Sequence, residues 1–223
     1  PARIMTERQP VWLFDLDNTL HDARPHIFPH INRGMTDYVA QTLQLPPAEA
    51  DRLRVDYWHR YGATLTGMMR HHGTDPRHFL WHTHQFPELD RMVIFERGLK
   101  AMLRRLPGRK LVFTNGPRHY AEAVLDVMGV RPVFDALYAL EHLRFRPKPE
   151  TRAFLQLLKA ERLPPHRCIM VEDSAANLRT AKSLGMKTVL VGNPEQTRAT
   201  PAWVDLRLKS VLELPRRLGR LSA

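Results

Sequence analysis

Four short apolar runs punctuate the chain: Val11-Trp12-Leu13-Phe14, Leu111-Val112-Phe113, Cys168-Ile169-Met170-Val171 and Thr188-Val189-Leu190-Val191. Each is too short for a helix and rich in β-forming residues, so each predicts a strand buried on both faces. Between the later runs, apolar positions return at helical spacing over 118–128, 150–160 and 174–184. Gly129 and Gly185 stand just past two of these stretches, where a helix end favours positive φ. Strand alternating with helix predicts an α/β fold with a doubly wound, Rossmann-like parallel sheet. Residues 204–207 suit an edge strand, and 210–218 form a short amphipathic segment interrupted by Pro215.

The rhythm changes between 22 and 96. No strand pattern occurs there, and helices are predicted over 29–43, 47–61, 64–72 and 76–85, with Pro25, Pro29, Pro46, Pro47, Pro76 and Pro87 marking helix starts or turns. The predicted organisation is a core made of 10–21 and 97–223, carrying an all-helical insert at 22–96.

Composition constrains this picture without redirecting it. With 223 residues, 43% hydrophobic and 26% charged, the chain has room for one such domain and excludes disordered or fibrous classes. A net charge of +11 points to an anionic ligand. The basic residues lie singly or in pairs such as Arg104-Arg105 and Arg216-Arg217, so they predict a solvated surface and no dedicated nucleic-acid partner. The single cysteine, Cys168, lies in an apolar run, which rules out an intrachain disulfide and suits a buried thiol in a reducing cytoplasm. No stretch has the length of a membrane span, and the polar start Pro1-Ala2-Arg3-Ile4-Met5-Thr6-Glu7-Arg8 lacks a signal-peptide core. A cytoplasmic location without a membrane partner is the expectation.

Three polar clusters follow predicted strands: Asp15-Leu16-Asp17-Asn18-Thr19, Thr114-Asn115-Gly116 and Glu172-Asp173-Ser174. Open α/β sheets bind ligands beyond the carboxyl ends of their strands, so the clusters should converge. Asp15 and Asp17 are two apart, and in a continued extended conformation their carboxylates share one side. Glu172 and Asp173 add to the repulsion. A hard cation relieves it, and Mg²⁺ with retained waters suits so sparse a carboxylate set. Any one cluster reads equally well as a helix cap or strand end. Three of them, with Lys148 in the loop Arg146-Pro147-Lys148-Pro149, point to a site.

These residues resemble the ordered motifs of the haloacid dehalogenase superfamily. Phe14-Asp15-Leu16-Asp17-Asn18-Thr19-Leu20 is similar to the first motif, Thr114-Asn115 to the second, Lys148 to the third, and Val171-Glu172-Asp173-Ser174 with Asn177 to the acidic fourth. The insert matches the position of the family's helical cap. The resemblance implies a phosphomonoester hydrolase in which Asp15 attacks phosphorus and becomes an aspartyl-phosphate, while Asp17 acts as acid and then base. It implies Mg²⁺ held by the Asp15 carboxylate, the Asp17 backbone carbonyl and Asp173, with Glu172 bound directly or through water. Thr114, the Asn115 amide and Lys148 would neutralise the phosphate oxygens. Because a departing halide needs no proton, Asp17 argues against a dehalogenase.

Within the insert, Tyr57-Trp58-His59-Arg60-Tyr61-Gly62 followed by Leu65-Thr66-Gly67-Met68 is similar to a cap signature of the pyrimidine 5′-nucleotidase branch. Tyr57, Tyr61, Leu65 and Met68 recur at near-helical spacing, which reads either as a core stripe or as an aromatic wall with Tyr61 against a nucleobase. The resemblance favours nucleoside 5′-monophosphates, pyrimidine ones above all. The alternatives are a sugar-phosphate phosphatase or phosphomutase and, from another class, a basic nucleic-acid-binding module with a vestigial acidic site. His78 and His82 can share a helix face, with His84 beyond. Without a Glu at the metalloprotease position or an accompanying Cys, they predict no dedicated zinc site. Arg118 and His119 open a helix and read as a surface pair or as residues at the site's mouth.

Overall fold

The structure, a computed structural model, describes residues 9–192 and 200–221. The polar start at 1–8, with its signal-peptide reading, lies outside the described residues. Two compact units result: the described residues up to Asp22 together with those from Ile94 onward, and Ala23–Val93.

The first unit is built on six parallel strands: β1 (Val11–Phe14), β2 (Arg109–Phe113), β3 (Ala136–Tyr138), β4 (Cys168–Glu172), β5 (Lys187–Val191) and β6 (Leu206–Leu208), in the order β3-β2-β1-β4-β5-β6. β1 is central, with Leu13 registered against Leu111 on one side and Met170 on the other. All four of its residues are buried, as its unbroken apolar run demands of a strand covered on both faces. Successive side chains alternate between faces. Val11 and Leu13 join a core with Leu111, Phe113, Phe154, Leu157 and Met170, while Trp12 and Phe14 stack with each other at 6.1 Å. Each such fully buried side chain contributes about 1.5–3 kcal/mol. The lone thiol of Cys168 is buried, and burial pushes it up to about 11.

Of the helices of this unit, α7 (Arg118–Val127), α8 (Thr151–Glu161) and α9 (Ala175–Ser183) fall within a residue of their predicted limits. Elements without a legible pattern include the three-residue edge strand β3 and α6 (Leu99–Arg105), a seven-residue helix. β6 lies two residues later than the predicted start at 204, since Leu206 and Leu208 are the buried alternating pair. The closing segment is a series of short helical turns, and Pro215 does not interrupt it: it lies in the first turn of α10 (Leu214–Arg217), where a missing N–H is tolerated.

The second unit contains α1 (Ile27–Leu43), α2 (Pro47–Tyr61), α3 (Thr64–His72), α4 (Pro76–Thr83) and the single turn α5 (Leu89–Met92). Pro47 and Pro76 occupy first helical positions, where a missing N–H costs nothing. Pro29 lies inside the first turn of α1 instead of opening it. α4 stops at Thr83, whose hydroxyl turns back to Phe79 O at 2.8 Å. Tyr57 packs directly against Gly67, where an added Cβ would come within 2.2 Å of the ring. Tyr57, Leu65 and Met68 are therefore core residues of this unit, whereas Tyr61 is partly exposed.

The chain divides at Ala23 and Val93, slightly inside the expected 22 and 96. Asp22 N–H donates to Ile94 O at 2.7 Å across an antiparallel bridge, and Glu96 meets the hydroxyl of Ser210. Both ends of the insertion thus belong to the sheet-bearing unit. Among the described residues, no helix is long and apolar enough to cross a membrane.

Candidate active site

The ends of β1, β2 and β4 are adjacent in the sheet, so the three polar clusters meet at one edge. Asp15 N–H donates to Val171 O at 3.0 Å, which carries the β1–β4 register one residue past the strand. The chain then folds over Leu16, whose carbonyl accepts from Thr19 at 3.4 Å and Leu20 at 2.9 Å, with Asn18 at φ 59°. The turn, and no further strand, sets the relation of Asp15 to Asp17. Leu16 between them is wholly buried.

Lys148 is placed by Asn115. The Asn115 amide donates to Lys148 O at 2.9 Å and accepts from Lys148 N–H at 2.8 Å, so one side chain holds the loop backbone from both sides. The buried ammonium then donates to Asp15 Oδ1, Glu172 Oε2 and Phe113 O, each at 2.7 Å. An ammonium has three protons, and all three are used. Thr114, also buried, accepts at Oγ1 from Gly116 N–H at 2.9 Å and keeps its own proton to donate. On β4, Glu172 is buried and Ser174 caps α9 through Asn177 N–H.

Charge is concentrated here and poorly solvated. Burial, reinforced by the charge of Glu172 and opposed by Lys148, pushes the Asp15 carboxyl up to about 8. Burial also raises Glu172 and Asp173. For Lys148, burial acts downward, but Asp15 and Glu172 outweigh it and hold the ammonium above its ordinary value. Oxygens of Asp15, Glu172 and Asp173 lie within 4.8 Å of one another. Three hard oxygen donors against one ammonium form a set that a small divalent cation fits.

Asp17 takes part differently. Its Oδ1 accepts from the Tyr120 hydroxyl at 2.5 Å and lies 2.9 Å from His21 Nε2. Burial and then the Asp17 charge push the Tyr120 phenol far above its ordinary range, so it is a donor. Neither residue stood out in the sequence. Tyr120 shares the apolar periodicity of α7 with Ala121, Val124 and Leu125, and His21 merely follows the first motif. Arg118 is exposed and pairs with Glu122 at 3.0 Å, so the tyrosine two residues further on is what reaches the site.

Tyr61 belongs to the helical unit, where its hydroxyl meets His71 Nε2 at 2.6 Å and the Arg70 guanidinium lies 5.5 Å from its ring centre. His78 and His82 do share a face of α4, with ring centres 4.2 Å apart, while His84 is buried against the Thr83 hydroxyl.

A family model described as haloacid dehalogenase-like hydrolase matches residues 11–185. The chain is 23% identical over 195 residues to Phosphate metabolism protein 8 of Saccharomyces cerevisiae, covering 81% of this chain and 60% of that protein. It is 32% identical over 100 residues to hexitol phosphatase B of Escherichia coli, covering 44% of each. The chain thus spans less than two thirds of the length of either relative. In three dimensions it resembles a HAD phosphatase from Thermococcus onnurineus, with a TM-score of 0.66 at 21% identity over 95% of this chain and 98% of that one. At that identity the likeness is one of fold.

Proposed function

This chain belongs to the haloacid dehalogenase-like hydrolase family, and from that premise we propose that it hydrolyses phosphate monoesters with Asp15 as the nucleophile. The observation that carries the reading is the buried Lys148 ammonium joining Asp15 Oδ1 to Glu172 Oε2. It fixes one Asp15 oxygen and leaves Oδ2, held only loosely by the Thr19 hydroxyl at 3.4 Å, as the attacking atom.

In the proposed sequence Asp15 Oδ2 bonds to phosphorus as the ester P–O bond breaks, and a proton on Asp17 passes to the departing oxygen. Asp17 then takes a proton from water while the water oxygen attacks phosphorus, which frees phosphate and regenerates Asp15. The Thr114 hydroxyl and Asn115 backbone amide would donate to the non-bridging oxygens. Lys148, its protons all engaged, contributes charge and the orientation of Asp15 until a phosphate oxygen displaces one acceptor. Asp15, Asp173 and the Asp17 carbonyl, with Glu172, would hold Mg²⁺, which when bound supplies neutralising charge for phosphoryl transfer. Exhaustive chelation is expected to lower turnover by roughly 100-fold or more, since several kcal/mol of charge stabilisation is withdrawn. Mg²⁺ should restore activity and Ca²⁺, with its looser shell, should do so poorly. Undiminished phosphate release after chelation would refute the metal assignment.

For substrate we propose nucleoside 5′-monophosphates, with pyrimidines preferred. With Tyr57, Leu65 and Met68 committed to packing, the reading rests on the Tyr61 ring, partly exposed and flanked by Arg70 and His71. A sugar-phosphate or sugar-alcohol phosphate substrate is the second reading, favoured by the similarity to hexitol phosphatase B. Steady-state kinetics on uridine, cytidine, thymidine, adenosine and guanosine monophosphates beside hexitol and hexose phosphates decide between them. A specificity constant about tenfold or more in favour of pyrimidines is expected, and Tyr61→Ala should erase it while sparing small esters. Higher constants for hexitol phosphates would overturn the nucleotide reading and leave the hydrolase standing. Isomerisation of a hexose phosphate with little phosphate released would instead identify a mutase.

A further inference from the structure

We infer that Tyr120 and His21 are positioning residues that hold the Asp17 carboxylate by one oxygen and reserve the other for proton transfer. The inference rests on the proposed acid and base role of Asp17.

Both groups converge on Oδ1: the Tyr120 hydroxyl at 2.5 Å and His21 Nε2 at 2.9 Å. Tyr120 is 1% exposed and the His21 side chain is fully buried. A carboxylate oxygen offers two lone-pair sites, so two donors saturate Oδ1 and direct any proton to Oδ2. The carboxylate oxygen is an acceptor, so His21 meets it as the donor from Nε2, and the ring's other nitrogen is Nδ1. That Nδ1 is buried and has no hydrogen-bond partner among the described residues. Leaving such a group unsatisfied is costly, and a device for stability alone would avoid it.

The need for two anchors follows from the mobility of the group they hold. The terminal torsion of an aspartate is broad and two-fold, so an unanchored carboxylate exchanges its oxygens and spends part of its time misdirected. Asp17 starts the tight loop that an isolated bridge to His21 closes, outside the sheet ladder that fixes Asp15. Tyr120 is itself fixed, because its ring lies against Gly116, where an added Cβ would come within 3.0 Å of it. One helix residue and the bridge partner of Asp17 thus set the direction of the proton on Asp17.

The test compares kcat and KM on an alkyl phosphate, whose leaving group needs a proton, with those on the phosphate ester of an acidic phenol, whose leaving group does not. Tyr120→Phe is expected to lower kcat on the alkyl ester by about 10- to 100-fold with KM nearly unchanged, and to change the aryl ester by less than about threefold. Adding Tyr120→Phe to Asp17→Asn should cost nothing further, because both act through one carboxylate. His21→Gln, which keeps a donor, should retain more alkyl-ester activity than His21→Ala. Equal losses on the two esters for Tyr120→Phe, additivity in the double variant, or no rescue by Gln would each overturn the positioning role. If Asp17→Asn itself penalises both esters equally, the acid role falls and this inference falls with it. If Asp17→Asn discriminates and Tyr120→Phe does not, only this inference is lost.

Discussion

Asp15→Asn is expected to yield a folded protein whose turnover is lower by at least about 10⁴-fold, the scale seen when a covalent nucleophile is removed. The amide cannot attack phosphorus, yet it matches the carboxylate in shape and still offers Lys148 an acceptor. Stability should not suffer. Burial and Glu172 push Asp15 up to about 8 from its ordinary value of 3.8, so the folded protein without a cation favours the neutral carboxyl that Asn imitates. A raised folded-state value means that the stability Asp15 contributes is complete below about 4 and is lost as pH rises through about 8. Denaturation in chelator should therefore find the variant gaining on wild type between pH 5 and pH 8. Turnover above about 1% of wild type would remove Asp15 as nucleophile, and a widening deficit of the variant with pH would contradict the electrostatics.

Lys148→Met should destabilise the fold by about 3–5 kcal/mol near pH 8, because without the ammonium Asp15 and Glu172 must either stay buried and uncompensated or take up protons against the solution, and it should abolish turnover as well. Both carboxyls already lie above their ordinary values, and losing the cation moves them further up. The native variant then takes up protons on acidification, so the deficit should shrink towards pH 5. Urea denaturation at the two pH values measures this directly. A deficit of the same size at both would assign the loss to packing of the lysine stem and remove the ion-pair account.

How much of this was legible beforehand depends on the physical signal each residue leaves in the sequence. β1, β2, β4 and β5 are buried on both faces and leave unbroken apolar runs, whereas β3 is a three-residue edge strand, only partly buried, and leaves none. Asp15, Asp17, Glu172 and Asp173 were visible because clustered charge after an apolar strand is unusual. That Lys148 joins Asp15 to Glu172 was not visible, because the Asn115 clamp that places it spans 33 residues. Tyr120 was hidden by its own chemistry, since a buried tyrosine on a helix has the periodicity of a core residue whether or not its hydroxyl serves a site. Tyr57 shows the converse, for the spacing that suggested an aromatic wall belongs to a ring packed on Gly67.

The bridge between Asp22 and Ile94 bears on how such a protein diversifies. Where the chain leaves the sheet-bearing unit and where it returns are already tied by a backbone hydrogen bond of 2.7 Å, so closing the gap asks nothing of the helices in between. Residues Ala23–Val93 can lengthen, shorten or be exchanged wholesale without altering the distance their ends must span. The entropy of closing that loop grows only logarithmically with its length. Selection can thus rewrite the whole helical unit by insertion, deletion or recombination while the register of β1 against β2 and β4 stays untouched. The Asp22–Ile94 bridge is in effect a graft union, at which a new helical unit can be joined to an old sheet.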